Sequence, residues 1–176
     1  MIELKKHPVK ILHINVRTEQ HGDEEKTAVD LKLGFDVPNI RLDDLMPGLQ
    51  EALYEQSKDL DLLGPDKSNL THVRFPRFGS RKSGVAWTGE WESVGLHLHL
   101  GNGRGKGDLD FADSTFGRMT IAPKEGGSVT CVARAQILPT PDETAKLVSL
   151  LKHEIPATVD MSNATSGADV DEGDEK

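Results

Sequence analysis

Four cationic side chains, Arg74, Arg77, Arg81 and Lys82, fall within nine positions. Phe75 and Phe78 stand among them, and Trp87 and Trp91 follow. Cations at this density neutralise phosphates, and flat rings offer faces on which bases stack. Single-stranded nucleic acid is held in this way, with each stack worth ~1–3 kcal/mol. Residues 70–107 carry six basic side chains against two acidic ones, in a chain whose net charge is −8. Arg104 and Lys106, in GNGRGKG, extend this basic island. Charge asymmetry of this kind bears on partners rather than on fold. Phe75 and Phe78 are three apart and would leave a regular strand on opposite faces, but Pro76 breaks regularity and leaves their directions open. Trp87 and Trp91 are four apart and share a face. The same spacing also fills a β core, so both roles stand for the tryptophans.

Other motifs carry less. GNGRGKG lacks the helix that a dinucleotide fingerprint requires, because the strand-like DLDF follows it, and no Ser or Thr follows Lys106 as a P-loop demands. His97 and His99, in LHLHL, share one strand face at a spacing that suits a metal. The carboxylate of a cupin-like site is missing after them, where Gly103 and Arg104 stand. Alternation with Leu96, Leu98 and Leu100 instead makes them the polar face of an amphipathic strand. Cys131 lies in the alternating run VTCVARA and reads as a buried, inert thiol, and as the one cysteine it allows no intrachain disulfide. No Gly-x-Ser-x-Gly elbow is present, and carboxylate pairs such as Asp108–Asp110 read as solvated faces or caps. The expectation is a protein that is not an enzyme, with no metal and no cofactor.

These residues need elements to hold them. TAVDLKLGFDV (27–37) alternates Val29, Leu31, Leu33, Phe35 and Val37 with polar residues, which marks a half-buried strand. VKILHINVRT (9–18) precedes it, and EQHGDEEK joins the two as a hairpin. A short helix is expected from about Pro47 to Ser57, followed by the loop KDLDLLGPDKSN. From 73 to 138 the pattern is strand after strand: VRFPRF, GVAWTGEW, VGLHLHL, DLDF, GRMTIA and SVTCVARAQIL. TPDE (140–143) is a helix start, with Thr140 as cap, Pro141 at the first position and Glu143 completing a capping box. Pro156 follows that helix, and ATVDM forms a last strand. The fold class is α+β, mainly antiparallel β, with about seven or eight strands and two flanking helices. A small β-barrel and a sandwich both satisfy the pattern.

Residues 1–161 read as a single β-rich domain. Residues 162–176, SNATSGADVDEGDEK, hold five acidic residues and no aromatic, and read as a disordered acidic tail. No apolar run suits a membrane span or a secretory signal, so a cytoplasmic protein is expected. The segments at 7–39, RFPRFG (74–79) and PKEGG (123–127) resemble a group of small, functionally unassigned accessory proteins of tailed phages and prophages. That resemblance covers about residues 5–160. It implies an accessory role in an infected bacterium, in DNA metabolism or host inhibition, and assigns no site residue.

The leading reading is therefore binding of single-stranded DNA in support of recombination or replication. Arg74, Arg77, Arg81, Lys82, Arg104 and Lys106 would meet phosphates, and Phe75, Phe78, Trp87 and Trp91 would stack on bases. The alternative is an inhibitor of a host defence protein, acting by protein contact or DNA mimicry through the acidic tail or the acidic first 69 residues. A virion structural or assembly protein, with homo-oligomers, is the third reading.

Overall fold

The alternation at 27–37 produces what it predicts. The computed structural model describes residues 2–21, 24–56, 67–76, 84–101 and 107–166. Strand β1 (Leu4–His21) and strand β2 (Glu24–Pro38) form an antiparallel hairpin, paired from Lys10 opposite Gly34 to His21 opposite Glu24 with one register shift between Ile11 and His13. The five alternating residues of β2 are all buried.

A five-residue helix, α1 (Leu49–Leu53), follows, and then the two-stranded pair β3 (Tyr54–Gln56) and β4 (Leu70–Val73). Helix α1 is shorter than its pattern predicts, because the chain turns extended at Tyr54. The Tyr54 hydroxyl lies in the core, donates to the Ser128 carbonyl at 2.5 Å and accepts from the Lys124 N–H at 3.0 Å. Burial pushes its pKa up to about 12. This anchors the β3–β4 pair against the turn between β6 (Leu109–Lys124) and β7 (Ser128–Ile137).

Residues 85–98 and 109–124, which the sequence divides into four short strands, form two long ones: β5 (Val85–Leu98) and β6. The places that read as breaks are register shifts between Trp91 and Val94 and between Val94 and Leu96, and a further shift between Trp87 and Glu90 lies inside the expected strand GVAWTGEW. A bulge absorbs irregular residues without ending a strand. The expected strand VRFPRF, by contrast, is not formed as drawn: β4 ends at Val73, and Arg74 to Pro76 lie outside it.

Helix α2 (Pro141–Ser149) starts with both halves of the capping box. The Glu143 carboxylate accepts from the Thr140 N–H at 2.8 Å, and Thr140 Oγ1 accepts from the Glu143 N–H at 3.3 Å. Leu147 is its buried anchor. Strands β8 (Glu154–Asp160) and β9 (Thr165–Ser166) complete the main sheet.

The seven strands of that sheet run in the order β6-β7-β2-β1-β8-β5-β9, and β5 also pairs with β6. The architecture is sandwich-like, and the expected β-barrel is corrected. A closed barrel would pair β1 with the same two neighbours along its length. Instead β1 pairs with β8 over Leu4–Lys10 and with β2 over Lys10–His21. The strands β1 and β2 part at Lys10, which lies between irregularities of β1 at Leu4–His7 and at Ile11–His13. Long bent strands that serve two layers are the usual corners of such a sandwich. Beyond Lys10 a side chain replaces the missing ladder, with His7 Nε2 2.7 Å from the Asp36 carbonyl oxygen. Among the described residues, no helix is long and apolar enough to cross a membrane.

Candidate nucleic-acid interface

The two tryptophans meet on one face of β5, as their spacing demands. Their rings stack with centroids 4.6 Å apart and planes inclined by 29°. Gly89 makes this possible. A Cβ at that position would lie 2.2 Å from the Trp87 ring, so the indole occupies the space over the glycine backbone. Gly117 of β6 has the complementary role, since a Cβ there would stand 2.4 Å from the Gly89 carbonyl oxygen. Trp91 is 7% exposed and belongs to the core, where it pairs with buried Phe116 across β5–β6. As a platform for bases, Trp91 is corrected: it is a core residue. Trp87 is only half-buried, and it packs against the core from the rim.

Arg74 and Phe75 are exposed at the end of β4. The Arg74 N–H donates to the Leu53 carbonyl at 2.9 Å, which fixes where the chain leaves the β3–β4 pair. Beside it, the Glu125 carboxylate accepts from the Val73 N–H and pairs with His72 at 2.9 Å. That carboxylate is held below its ordinary range, first by the His72 hydrogen bond. Glu125 lies four residues beyond Ile121, the partner of Val85. Arg74, Phe75 and the start of β5 thus share one end of the molecule.

Arg77, Phe78, Arg81 and Lys82 lie outside the described residues, as do Arg104 and Lys106. Their described flanks fall at different places on β5. Residues 77–83 lead into β5 at Val85, whereas 102–106 join the other ends of β5 and β6, at Leu98 and Leu109. A 14-residue strand reaches about 45 Å. The exposed positions between include the acids Glu92, Asp110 and Asp113. The described flanks of the two basic segments thus stand at opposite ends of β5.

The histidines of LHLHL sit beside carboxylates of β6. His97 Nδ1 is 2.9 Å from Asp110 Oδ1, and His99 Nε2 is 2.9 Å from Thr158 Oγ1. Asp108 accepts from the N–H groups of Leu100 and Gly101, both at 2.8 Å, and so clamps the base of the glycine loop. These bonds, that from Gly101 foremost, lower its pKa. Among the described residues, no group of three or more metal-capable side chains converges. Cys131 is buried, and burial raises its pKa to about 12, which makes it a poor nucleophile at neutral pH.

A second feature has no counterpart in the linear motifs. Where β1 and β2 part, a cleft of about 610 Å³ opens on the outer face of the sheet. His7, Lys10, Asp36 and Lys124 stand on its rim, and Gly34 and Val132 line its floor. Lys124 pairs with Asp36 at 2.8 Å, and Thr130 donates to the same carboxylate at 2.6 Å. Further along that face, Asp30 accepts from Arg17 at 3.0 Å and from Arg134 at 2.9 Å. Burial alone would raise the Asp30 pKa, but the two guanidinium groups outweigh it and the net shift is downward. This face collects cations from three strands, β1, β6 and β7, and pairs Arg17, Lys124 and Arg134 with the β2 carboxylates Asp30 and Asp36, so it is not an anion track. Each strand contributes between one and three of these residues, and only strand order reveals the cluster.

No protein-family model matches the chain, and no curated protein or solved structure matches it.

Proposed function

We propose that the protein binds single-stranded nucleic acid at the end where β4 terminates and β5 begins, in the accessory role in phage DNA metabolism that the sequence resemblance implies. One observation carries this reading. Trp87 is a half-exposed ring fixed against a buried partner ring, at the end that also presents Arg74 and Phe75. A ring so anchored loses little freedom when a base stacks on it. Arg77, Arg81 and Lys82, in the segment leading to β5, supply phosphate contacts in this reading. Arg104 and Lys106 are left out of this reading, because the described residues that flank their segment, Gly101 and Gly107, adjoin the far ends of β5 and β6.

The test is a titration of oligo-dT followed by tryptophan fluorescence. Four cations on a single strand give a log–log salt slope near −2.8, which weakens affinity roughly 50-fold between about 50 and 200 mM salt. Saturable quenching with that dependence, lost in Trp87→Ala and weakened in Arg77→Glu/Arg81→Glu, is expected. A flat titration with a blank gel shift overturns the reading.

A second reading rests on a different observation. Among the described residues, 17–21 of β1 and 24–28 of β2 have no strand neighbour but each other, since β7 joins β2 at Val29 and β8 leaves β1 at Lys10. This two-stranded arm ends in the acidic GDEE of residues 22–25. It suits contact with a basic host protein. Glu24→Lys/Glu25→Lys would abolish such a complex and leave oligo-dT binding unchanged.

A further inference from the structure

The second half of β1 has a strand on one side only. β8 lies along its other edge as far as Lys10, and two bonds just before β8 end that pairing. The Ile11 N–H donates to the His153 carbonyl at 3.1 Å, and the Ile11 carbonyl accepts from the Lys152 N–H at 2.8 Å. The Lys152 ammonium caps the Leu12 carbonyl. From His13 to Glu19, β1 has β2 on one edge and, among the described residues, no strand on the other.

Which backbone groups face that edge follows from the ladder. The Asp36 carbonyl accepts from His7, so it points to the β1 side of β2. Every second residue of a strand points its N–H and C=O the same way. Counting back along β2, Lys32, Asp30, Ala28 and Lys26 therefore also face β1, and their partners His13, Asn15, Arg17 and Glu19 bond to them. Ile14, Val16 and Thr18 turn their N–H and C=O outward. Such an edge is ordinarily blunted by Lys, Pro or a bulge. HINVRTE (13–19) has no Lys or Pro, and no irregularity past His13. It also presents Val16, which is 50% exposed.

We propose that two copies of the chain join through this edge, residues 13–19 of one pairing antiparallel with 13–19 of the other about a two-fold axis at Val16. A strand paired with its own copy about a two-fold axis sets one residue opposite itself. An axis at Arg17 would set two guanidinium groups opposite each other, where like charges repel. One at Asn15 would set His13 against Arg17 and carry the ladder onto Ile11, whose outward groups are already used. One at Thr18 would leave Val16 against the polar Gln20. The axis at Val16 covers each exposed valine with the other, and sets Ile14 against Thr18, Arg17 against Asn15 and Glu19 against His13. No like charges meet. Ile14, Val16 and Thr18 then form three bonded pairs, with about six backbone hydrogen bonds in all. The association uses neither β4 nor β5 and is independent of the nucleic-acid reading.

Sedimentation of the full chain up to submillimolar concentration should show a rise to twice the 19.2 kDa chain mass. Val16→Lys sets two like charges opposite each other and takes two apolar side chains out of the join, so it should weaken the dimer roughly a hundredfold. Unchanged circular dichroism checks that this half-exposed position leaves the fold intact. A chain that stays monomeric throughout overturns the proposal, and so does a dimer that Val16→Lys leaves equally tight. Cysteine cross-linking reads the register. A short bis-thiol reagent should join Val16→Cys, because the two Cα atoms of a bonded pair stand about 5.5 Å apart. It should not join Thr18→Cys, whose two copies would lie roughly 14 Å apart along the strands. Cys131 is buried and stays out of the reaction. Any other pattern of linkage overturns the axis at Val16.

Discussion

The two halves of β5 share one strand and one partner, β6, yet they differ in kind. From Trp91 onward the strand has β9 and β8 on its second edge, and Trp91, Val94, Leu96 and Leu98 are buried. From Glu90 back to Val85 the second edge has no neighbour among the described residues, and Val85, Trp87 and Gly89 are only half-buried on the corresponding face. Trp87 and Trp91 are the same residue type, on the same face and in contact. Their difference comes from what lies beside the strand, not from the strand itself. Position in a sheet, more than residue type, separates a core tryptophan from a half-exposed one.

The comparison breaks most visibly at Trp91. Trp91→Ala removes a buried ring against Phe116 and strips Trp87 of its support. It should destabilise the fold by about 3–5 kcal/mol, as large-to-small changes in a core do. Urea unfolding followed by circular dichroism measures this. A loss below about 1 kcal/mol would show that the C-terminal half of β5 is no more closed than the other half.

Gly89→Val comes next. Its Cβ would collide with the Trp87 ring at 2.2 Å, and the ring has no place over the backbone once that space is filled. The stack must open, at a cost of about 2–3 kcal/mol for overpacking. The near-ultraviolet dichroism of the coupled indoles should collapse. Retention of that signal would mean that the rings stack without needing the glycine.

How far the sequence reveals this arrangement depends on which link is asked about. The capping box at Thr140–Glu143 and the alternation at 27–37 are local, and each appears in the structure where the sequence places it. The i, i+4 spacing of the tryptophans correctly puts them on one face. Periodicity reports faces, however, and not neighbours. It is silent on whether β8 or β9 lies beside a given stretch of β5, which decides the fate of Trp91. It reads bulges as breaks, so β5 and β6 appear in pieces. The basic island is a cluster in sequence, but the described flanks of its two segments stand at opposite ends of β5. The Arg17–Asp30–Arg134 group is the converse, dispersed in sequence and joined across β1, β2 and β7.

The smallest effect is expected at Trp87, and it is the most telling. Trp87→Ala deletes a ring that is half-buried at a sheet edge, so the stability loss should be about 1 kcal/mol, well below that of Trp91→Ala. Its effect on recognition should be the larger one. If the exposed part of the ring carries a base, affinity for oligo-dT should fall by about 1–3 kcal/mol, while the salt slope stays where the cations set it. Stability and binding would then divide between two stacked tryptophans, one serving each. Equal stability losses for the two substitutions would make Trp87 a core residue like its partner. The recognition surface would then have to be sought in Phe75 and the segment that follows it.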